Sequence, residues 1–300
     1  MDGPVDIKPD NKPDNDSPPI DENLLDGPPP ATWKDFKHAK LRQFPGHEKP
    51  IKWLKYLGHG AQGIVFKVSI GNGEPVALKI FWRSLRPSPL QVGEGKFRNI
   101  EWPFEDESRT VALIEKIKWA MSTNSDITIR KCPQTHRHAL RNLYAFSDEG
   151  RAKPSERQEF INPPPFPPLP TCYGWMRIQR DEIPHVSPGA WNDTDNVDWR
   201  WAIVYEFIPG ATQDLTIGQL HLDFFYAVGF SLEPFKPDNW HGGRLVDCND
   251  ICSVFTRGWR AARWGQFDAK QWFRTLDFVR YPIIERRIVR RHNKPNGGIS

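Results

Sequence analysis

The segment Gly58-His59-Gly60-Ala61-Gln62-Gly63 sets three glycines at G-x-G-x-x-G spacing, which leaves backbone N–H groups able to approach phosphate oxygens closely. It lies between two β-type segments instead of opening into a helix, so it suits a flap over a nucleotide better than a dinucleotide-binding turn. Val65 follows the loop. Sixteen residues after Gly63 comes Lys79, closing Val76-Ala77-Leu78-Lys79. The small Ala77 leaves room for a flat base, and the lysine can reach α- and β-phosphate oxygens. A lysine so used wants a carboxylate to hold it, and Glu105, Glu107 and Glu115 all lie on the next helical segment. Further on, Asn239 and Asp247 offer the hard oxygen donors that Mg²⁺ prefers, with Asp247 following the apolar pair Leu245-Val246.

In this order the motifs resemble the small lobe of a protein kinase. The resemblance makes Trp201–Gly210 a hinge, with backbone groups of Glu206 to Ile208 meeting the adenine edge and Tyr205 as gatekeeper. Phe235-Lys236-Pro237-Asp238-Asn239 mirrors the second half of a kinase catalytic loop, H-R-D-L-K-P-E-N. That alignment puts Leu232, Glu233 and Pro234 where H, R and D belong. Pro234 can neither accept a proton nor orient a hydroxyl, so the general base is missing unless Asp238 or Asp250 deputises. Asp247 takes the place of the D-F-G aspartate. The connecting hairpin is shorter than usual, no A-P-E follows, and the roughly fifty remaining residues are too few for a full helical lobe.

Other constellations are weaker. His221-Leu222-Asp223 mimics an H-x-D triplet, but position 228, where the paired Asn belongs, is Val, and the surrounding pattern is helical. Cys132, His136 and His138, or Cys248 with Cys252, have zinc-ligand chemistry without the spacing of paired knuckles.

The chain that positions these residues has 300 of them, enough for one large domain or two small ones. Thirteen tryptophans and eighteen phenylalanines exclude a wholly disordered chain, although 29 prolines imply unpacked stretches. Residues 1–32 are proline-rich and acidic and read as a disordered tail. Eight carboxylates against two lysines give residues 1–30 a charge of −6, so the rest carries +10 within a total of +4. Residues 281–300 form a basic tail. No aromatic interleaving or nucleic-acid motif accompanies it, so it reads as a solvated face and not as a nucleic-acid surface. No apolar run reaches the length of a membrane helix, the N-terminus lacks a secretory pattern, and the four cysteines are scattered. An intracellular location, cytoplasmic or nuclear, is expected, with no membrane partner.

Period-two alternation predicts a strand through Ile64, Phe66 and Val68, a Gly71-Asn72-Gly73 turn, and a strand over Val76–Ile80. Phe104–Trp119 reads as an amphipathic helix, residues 122–170 as a long insertion or loop, Thr171–Ile178 and Trp199–Phe207 as strands, and Gln219–Val228 as a buried helix. A short strand at Arg244–Val246 and helical stretches at Trp259–Trp264 and Ala269–Val279 complete the reading. The expected fold class is α+β: a protein-kinase-like two-lobe domain over 33–280. Its N-lobe spans about 50–205 and its reduced helical C-lobe about 210–280.

The run GHGAQGIVF, VALKIFW, FEDESR, LPTCYGW, WAIVYEFIPG, GFSLEPFKPDNWHGGRLVDCNDICS and the Trp-rich end resembles the fungal kinase-like proteins grouped with a kinetochore-complex subunit, the FTA-type family. The likeness spans about Lys52 to Phe278 and is most specific at KPDNWHGG-RLVD-CNDI. It selects Glu107 among the three glutamates. It also implies nucleotide contacts at Gly58, Gly60, Gly63, Lys79, Glu107, Asn239 and Asp247, with ATP and Mg²⁺ as cofactors. Three functions are compatible with these residues: an ATP·Mg²⁺-binding domain degenerate in catalysis, acting as pseudokinase or scaffold; an atypical Ser/Thr kinase with slow phosphoryl transfer; and a structural or kinetochore interaction protein that binds no nucleotide.

Overall fold

The alternation of the segment after the glycine loop decides two faces of a sheet. Strand β4 (Gly63–Ile70) buries Ile64, Phe66, Val68 and Ile70 on one face and turns Val65 and Lys67 to the other. It pairs antiparallel with β3 (Ile51–His59), where Val65 opposes Gly58, and with β5 (Val76–Phe81), where Val65 opposes Lys79. Gly71, at φ +60°, makes the turn between β4 and β5. Beyond β5 the sheet continues antiparallel through β7 (Trp199–Glu206) to β6 (Cys172–Gln179). It ends in two short parallel additions, β2 (Leu41–Gln43) and β1 (Ile20–Leu24), so the strand order is β1-β2-β6-β7-β5-β4-β3.

The computed structural model describes residues 19–93, 96–98, 100–124, 126–153, 159–185, 195, 197–210, 214–232, 239–241, 244–256 and 258–272. Within them the fold is mixed α/β. One sheet face closes on itself through Phe66, Val68, Leu78, Ile80, Met176 and Val204. The other face carries Phe81, Trp175, Trp201, Ile203 and Tyr205, which belong to the larger core together with Phe36 of the short helix α1 (Trp33–Lys37) and the long helix α2 (Pro103–Thr123). Pro103 starts that helix, where its missing N–H costs nothing. Phe104 stacks on Trp201 with ring centres 4.8 Å apart and planes 4° from parallel. Burying an aromatic of this size contributes about 2–3 kcal/mol. The same core runs on to helix α4 (Leu215–Val228), capped by Asp214 at its start and by Gly229, at φ +92°, at its end.

Three departures from the sequence reading have clear causes. The folded region begins before residue 33, because Ile20 and Leu25 pack on the core and β1 pairs with β2. The expected tail 1–32 therefore does not hold for residues 19–32, and residues 1–18 lie outside the described residues. The stretch read as an insertion holds a two-residue pairing of Ile129–Arg130 with Phe160–Ile161, helix α3 (His136–Tyr144) and a helical turn at Asp148–Arg151. Five of its apolar residues, Ile127, Ile129, Leu140, Leu143 and Phe146, are buried. Asn142 secures it by bridging Arg130 and the Ala227 carbonyl. Over Trp259–Trp264 a 3-10 turn at Ala261–Arg263 forms in place of the expected helix, because Trp259 and Trp264 are drawn onto the end of α4 by indole N–H bonds to Gly229 and Tyr226, whereas residues 269–272 are helical. Most of the stretch from Ala269 to Val279, and the basic tail 281–300, lie outside the described residues. Among those described, no helix is long and apolar enough to cross a membrane.

The three loop glycines have different jobs. A Cβ on Gly63 would sit 2.2 Å from the Ile80 carbonyl oxygen, whereas one on Gly58 or Gly60 would meet nothing within 4 Å. Gly63→Ala is therefore expected to lower unfolding free energy by about 2–3 kcal/mol in urea titrations, through β4 being forced off β5. Gly60→Ala should stay within about 1 kcal/mol of the parent.

Candidate functional site

Strand alternation and register put Val65, Ala77, Lys79 and Tyr205 on one face of the sheet, with Ala77 opposite Tyr205 and Lys79 opposite Val65. Helix α2 crosses this face, and its first turns bring Glu107 down onto Lys79. The lysine Nζ lies 2.7 Å from Glu107 Oε2 and 2.8 Å from Asp247 Oδ1. The second Glu107 oxygen accepts a hydrogen bond of 2.7 Å from the Tyr205 hydroxyl. Glu107 is 1% exposed, and Asp247 is 27% exposed. A buried carboxylate thus meets a lysine whose other side reaches a half-open aspartate.

The three glutamates meet different cations. Glu105 pairs with Arg86 and Arg109, and Glu115 with Arg42, while Glu107 alone of the three reaches Lys79. Burial on its own would push the Lys79 pKa down. The charges of Asp247 and Glu107 outweigh it and hold the ammonium above the ordinary lysine range. Burial pushes the Glu107 carboxyl up, against the pull of Lys79. Burial also raises the Tyr205 phenol, so it serves Glu107 as a donor.

Asp247 is the N-cap of a 3-10 turn, Cys248–Asp250, and accepts the Asn249 N–H at 3.2 Å. Asn239 is held beside it by the bond from the Val246 N–H to the Asn239 carbonyl, 2.8 Å. Its side-chain amide donates to Asp250 Oδ2 at 2.6 Å and, more distantly, to Asp247 Oδ2 at 3.4 Å. Asp250 thus enters the constellation through Asn239, a contact that its position three residues after Asp247 does not reveal. Residues 233–238, with Pro234 and Asp238, lie outside the described residues.

Around this centre, Gly58 and Gly60 border open space, and the Gly60 carbonyl accepts the Trp82 indole N–H at 2.8 Å. His59 stacks on Tyr56 and hydrogen-bonds its hydroxyl. The hinge expectation narrows at Glu206. Its N–H donates to the Thr171 carbonyl at 2.8 Å, and its carboxylate binds Thr171 and Arg244, so that N–H is not available to a base. The Ile208 carbonyl lies 3.3 Å from His241 Nδ1.

Of the remaining constellations, Cys248 directly follows Asp247 in the same turn, and both it and Cys252 are buried free thiols. His138 Nδ1 accepts the Gln134 N–H, and His136 Nε2 faces the Val254 carbonyl. Among the described residues no group of three or more His, Cys, Asp or Glu is arranged to hold a metal ion. Asp223 bonds Gln219 within α4, while His221 turns inward against Trp240 and Phe225.

Residues 27–130 match the family model of the kinetochore Sim4 complex subunit FTA2, which supports grouping this chain with that kinetochore subunit. The match takes in the glycine loop, Lys79 and Glu107, and stops before Asn239 and Asp247. A receptor-like protein kinase of Arabidopsis thaliana, HAIKU2, is 36% identical over 73 residues, which is 22% of this chain and 7% of that protein.

His221 supplies a pH test of the packing behind the site. Neither ring nitrogen has a hydrogen-bond partner, and burial lowers its pKa from 6.5 to about 3. A group depressed in the folded state contributes stability above its unfolded pKa and loses it as pH falls through 6.5 toward 3. The parent should lose about 1.6 kcal/mol between pH 6.5 and pH 5 through this group. In urea titrations His221→Leu should flatten that slope while staying within about 1 kcal/mol of the parent at pH 8.

Proposed function

We propose that this chain is a kinase-like nucleotide-binding domain for ATP with Mg²⁺, serving as an assembly module in a kinetochore complex in the nucleus and transferring phosphate slowly or not at all. The observation that carries the reading is Lys79 held between the buried Glu107 and the half-open Asp247. An ammonium fixed in this way, on the face that also presents Val65 and the small Ala77, has the chemistry to bind phosphate oxygens beside a flat base. Gly58 and Gly60 leave room for a close approach from the loop. The match to a kinetochore subunit supports the assembly role and the nuclear site, while the nucleotide part rests on the site's own residues.

The donor set suits Mg²⁺: two carboxylates, Asp247 and Asp250, and the Asn239 amide are hard oxygen ligands. Bound with ATP, the ion would neutralise charge on the phosphates. Asn239 now turns its NH₂ toward both carboxylates, so coordination through its oxygen needs a half-turn of the amide. Pro234, at the place of the catalytic base, limits phosphoryl transfer, since a base contributes about 10²–10⁴-fold.

A second reading is favoured by one feature: Lys79 is already neutralised by two carboxylates, as a purely structural ion pair would be. Calorimetric titration of the full chain with ATP, with and without Mg²⁺, separates the two. A Mg²⁺-dependent Kd is expected, weakened at least about tenfold in Asp247→Asn, which leaves the Lys79–Glu107 pair intact. Ligand at about 100 Kd should add about 2.7 kcal/mol to stability. Absence of both heat and melting shift at millimolar ATP overturns the nucleotide reading and leaves the structural one.

A further inference from the structure

Residues 20–32 form a strap whose main-chain carbonyls are taken up by buried donors. The Trp175 indole donates to the Asp21 carbonyl at 2.9 Å. Arg42 gives one guanidinium nitrogen to the carbonyls of Asp26 and Gly27, at 2.7 and 3.1 Å. Lys116 gives its ammonium to the Pro30 carbonyl at 2.6 Å. Arg42 is 6% and Lys116 3% exposed, so both cations have left bulk water and depend on these acceptors. The second arm of Arg42 grips Glu115, which neighbours Lys116 on α2. Farther along, the Ala31 carbonyl accepts the Asp148 N–H at 2.8 Å, and the Trp33 N–H donates to Glu149 at 2.7 Å.

Strap and helix therefore share two buried cations at the C-terminal half of α2. Glu107 sits nine residues before Lys116 on the same helix, about 13.5 Å away at 1.5 Å per residue. Its own half is tied by Glu105 to Arg86 and by the Thr110 hydroxyl to the Ile251 carbonyl, close after Asp247. A stiff helix held at both ends transmits a change of tilt at one end to the other.

We propose that the strap is a positioning element for α2: Arg42 and Lys116 latch residues 20–32 to the helix and so hold Glu107 at the depth where it meets Lys79. Control of nucleotide affinity by the strap follows only if the proposed function holds, whereas control of α2 does not depend on it. The latch residues touch no ligand; they act through the helix.

Hydrogen exchange by mass spectrometry on the full chain, with Mg·ATP titration alongside, tests this. Lys116→Ala should raise exchange in residues 20–31 and also around Glu107 by roughly tenfold, and weaken Mg·ATP binding by a similar factor. Lys116→Arg should restore most of both. Faster exchange in the strap with α2 unchanged overturns the proposal. If the parent binds no Mg·ATP, the nucleotide reading fails and the exchange around Glu107 alone decides for or against the strap. Should Lys116→Ala not fold, Glu115→Gln, which keeps Lys116 and removes the carboxylate from Arg42, reads the same coupling.

Discussion

A lysine on the inner face of a sheet, taken almost wholly out of water, is tolerable only with a carboxylate against it. Several kcal/mol of lost hydration per ion must be offset by close pairing and by hydrogen bonds to the remaining lone pairs. Lys79 and Glu107 meet that condition, with Tyr205 on the second Glu107 oxygen and Asp247 on the far side of the ammonium. Much else follows from keeping them in place. The register of β5 against β4 and β7 sets the height of Lys79, and Gly63 permits that register by letting β4 approach the Ile80 carbonyl. The Phe104–Trp201 stack sets the height of α2 one turn before Glu107.

The pair also links two halves of the chain that the sequence separates widely. Asp247 reaches Lys79 from 168 residues away, and the Thr110 hydroxyl on α2 reaches the carbonyl of Ile251. The larger core runs without a break from Ala31 to Ala269. Movement of α2 would therefore be felt at the sheet and at the Asp247 turn together. This shared burial gives the strap at residues 20–32 its leverage over α2.

The strands around the glycine loop are legible because alternation in Ile64, Phe66, Val68 and Ile70 has one physical meaning: one face in, one face out. Glu107 is not legible from spacing alone. Three glutamates share α2, each beside a different cation that comes from elsewhere in the chain, and only tertiary structure assigns the partners. The strap is hidden for another reason. Prolines and aspartates dominate residues 1–32 as a whole, yet the docking uses main-chain carbonyls and a few apolar side chains, Ile20, Leu25 and Ala31. Helix α3 is masked in the same way, by basic residues on its outer side. Asp250 stands out in the sequence only as a substitute for the missing base, because its link to the site runs through the amide of Asn239.

Lys79 itself gives the most direct measurement. Each lysine in the full chain is acylated under limiting reagent, and the extent is read by mass spectrometry with and without Mg·ATP. Lys79 should be among the slowest to react on its own, because it is 11% exposed and its ammonium is held above the usual lysine range. Mg·ATP should then protect it by a further factor of about ten or more, with exposed lysines such as Lys55 unaffected. Reaction at Lys79 that is unchanged by Mg·ATP at millimolar concentration would contradict a nucleotide site built on this ion pair.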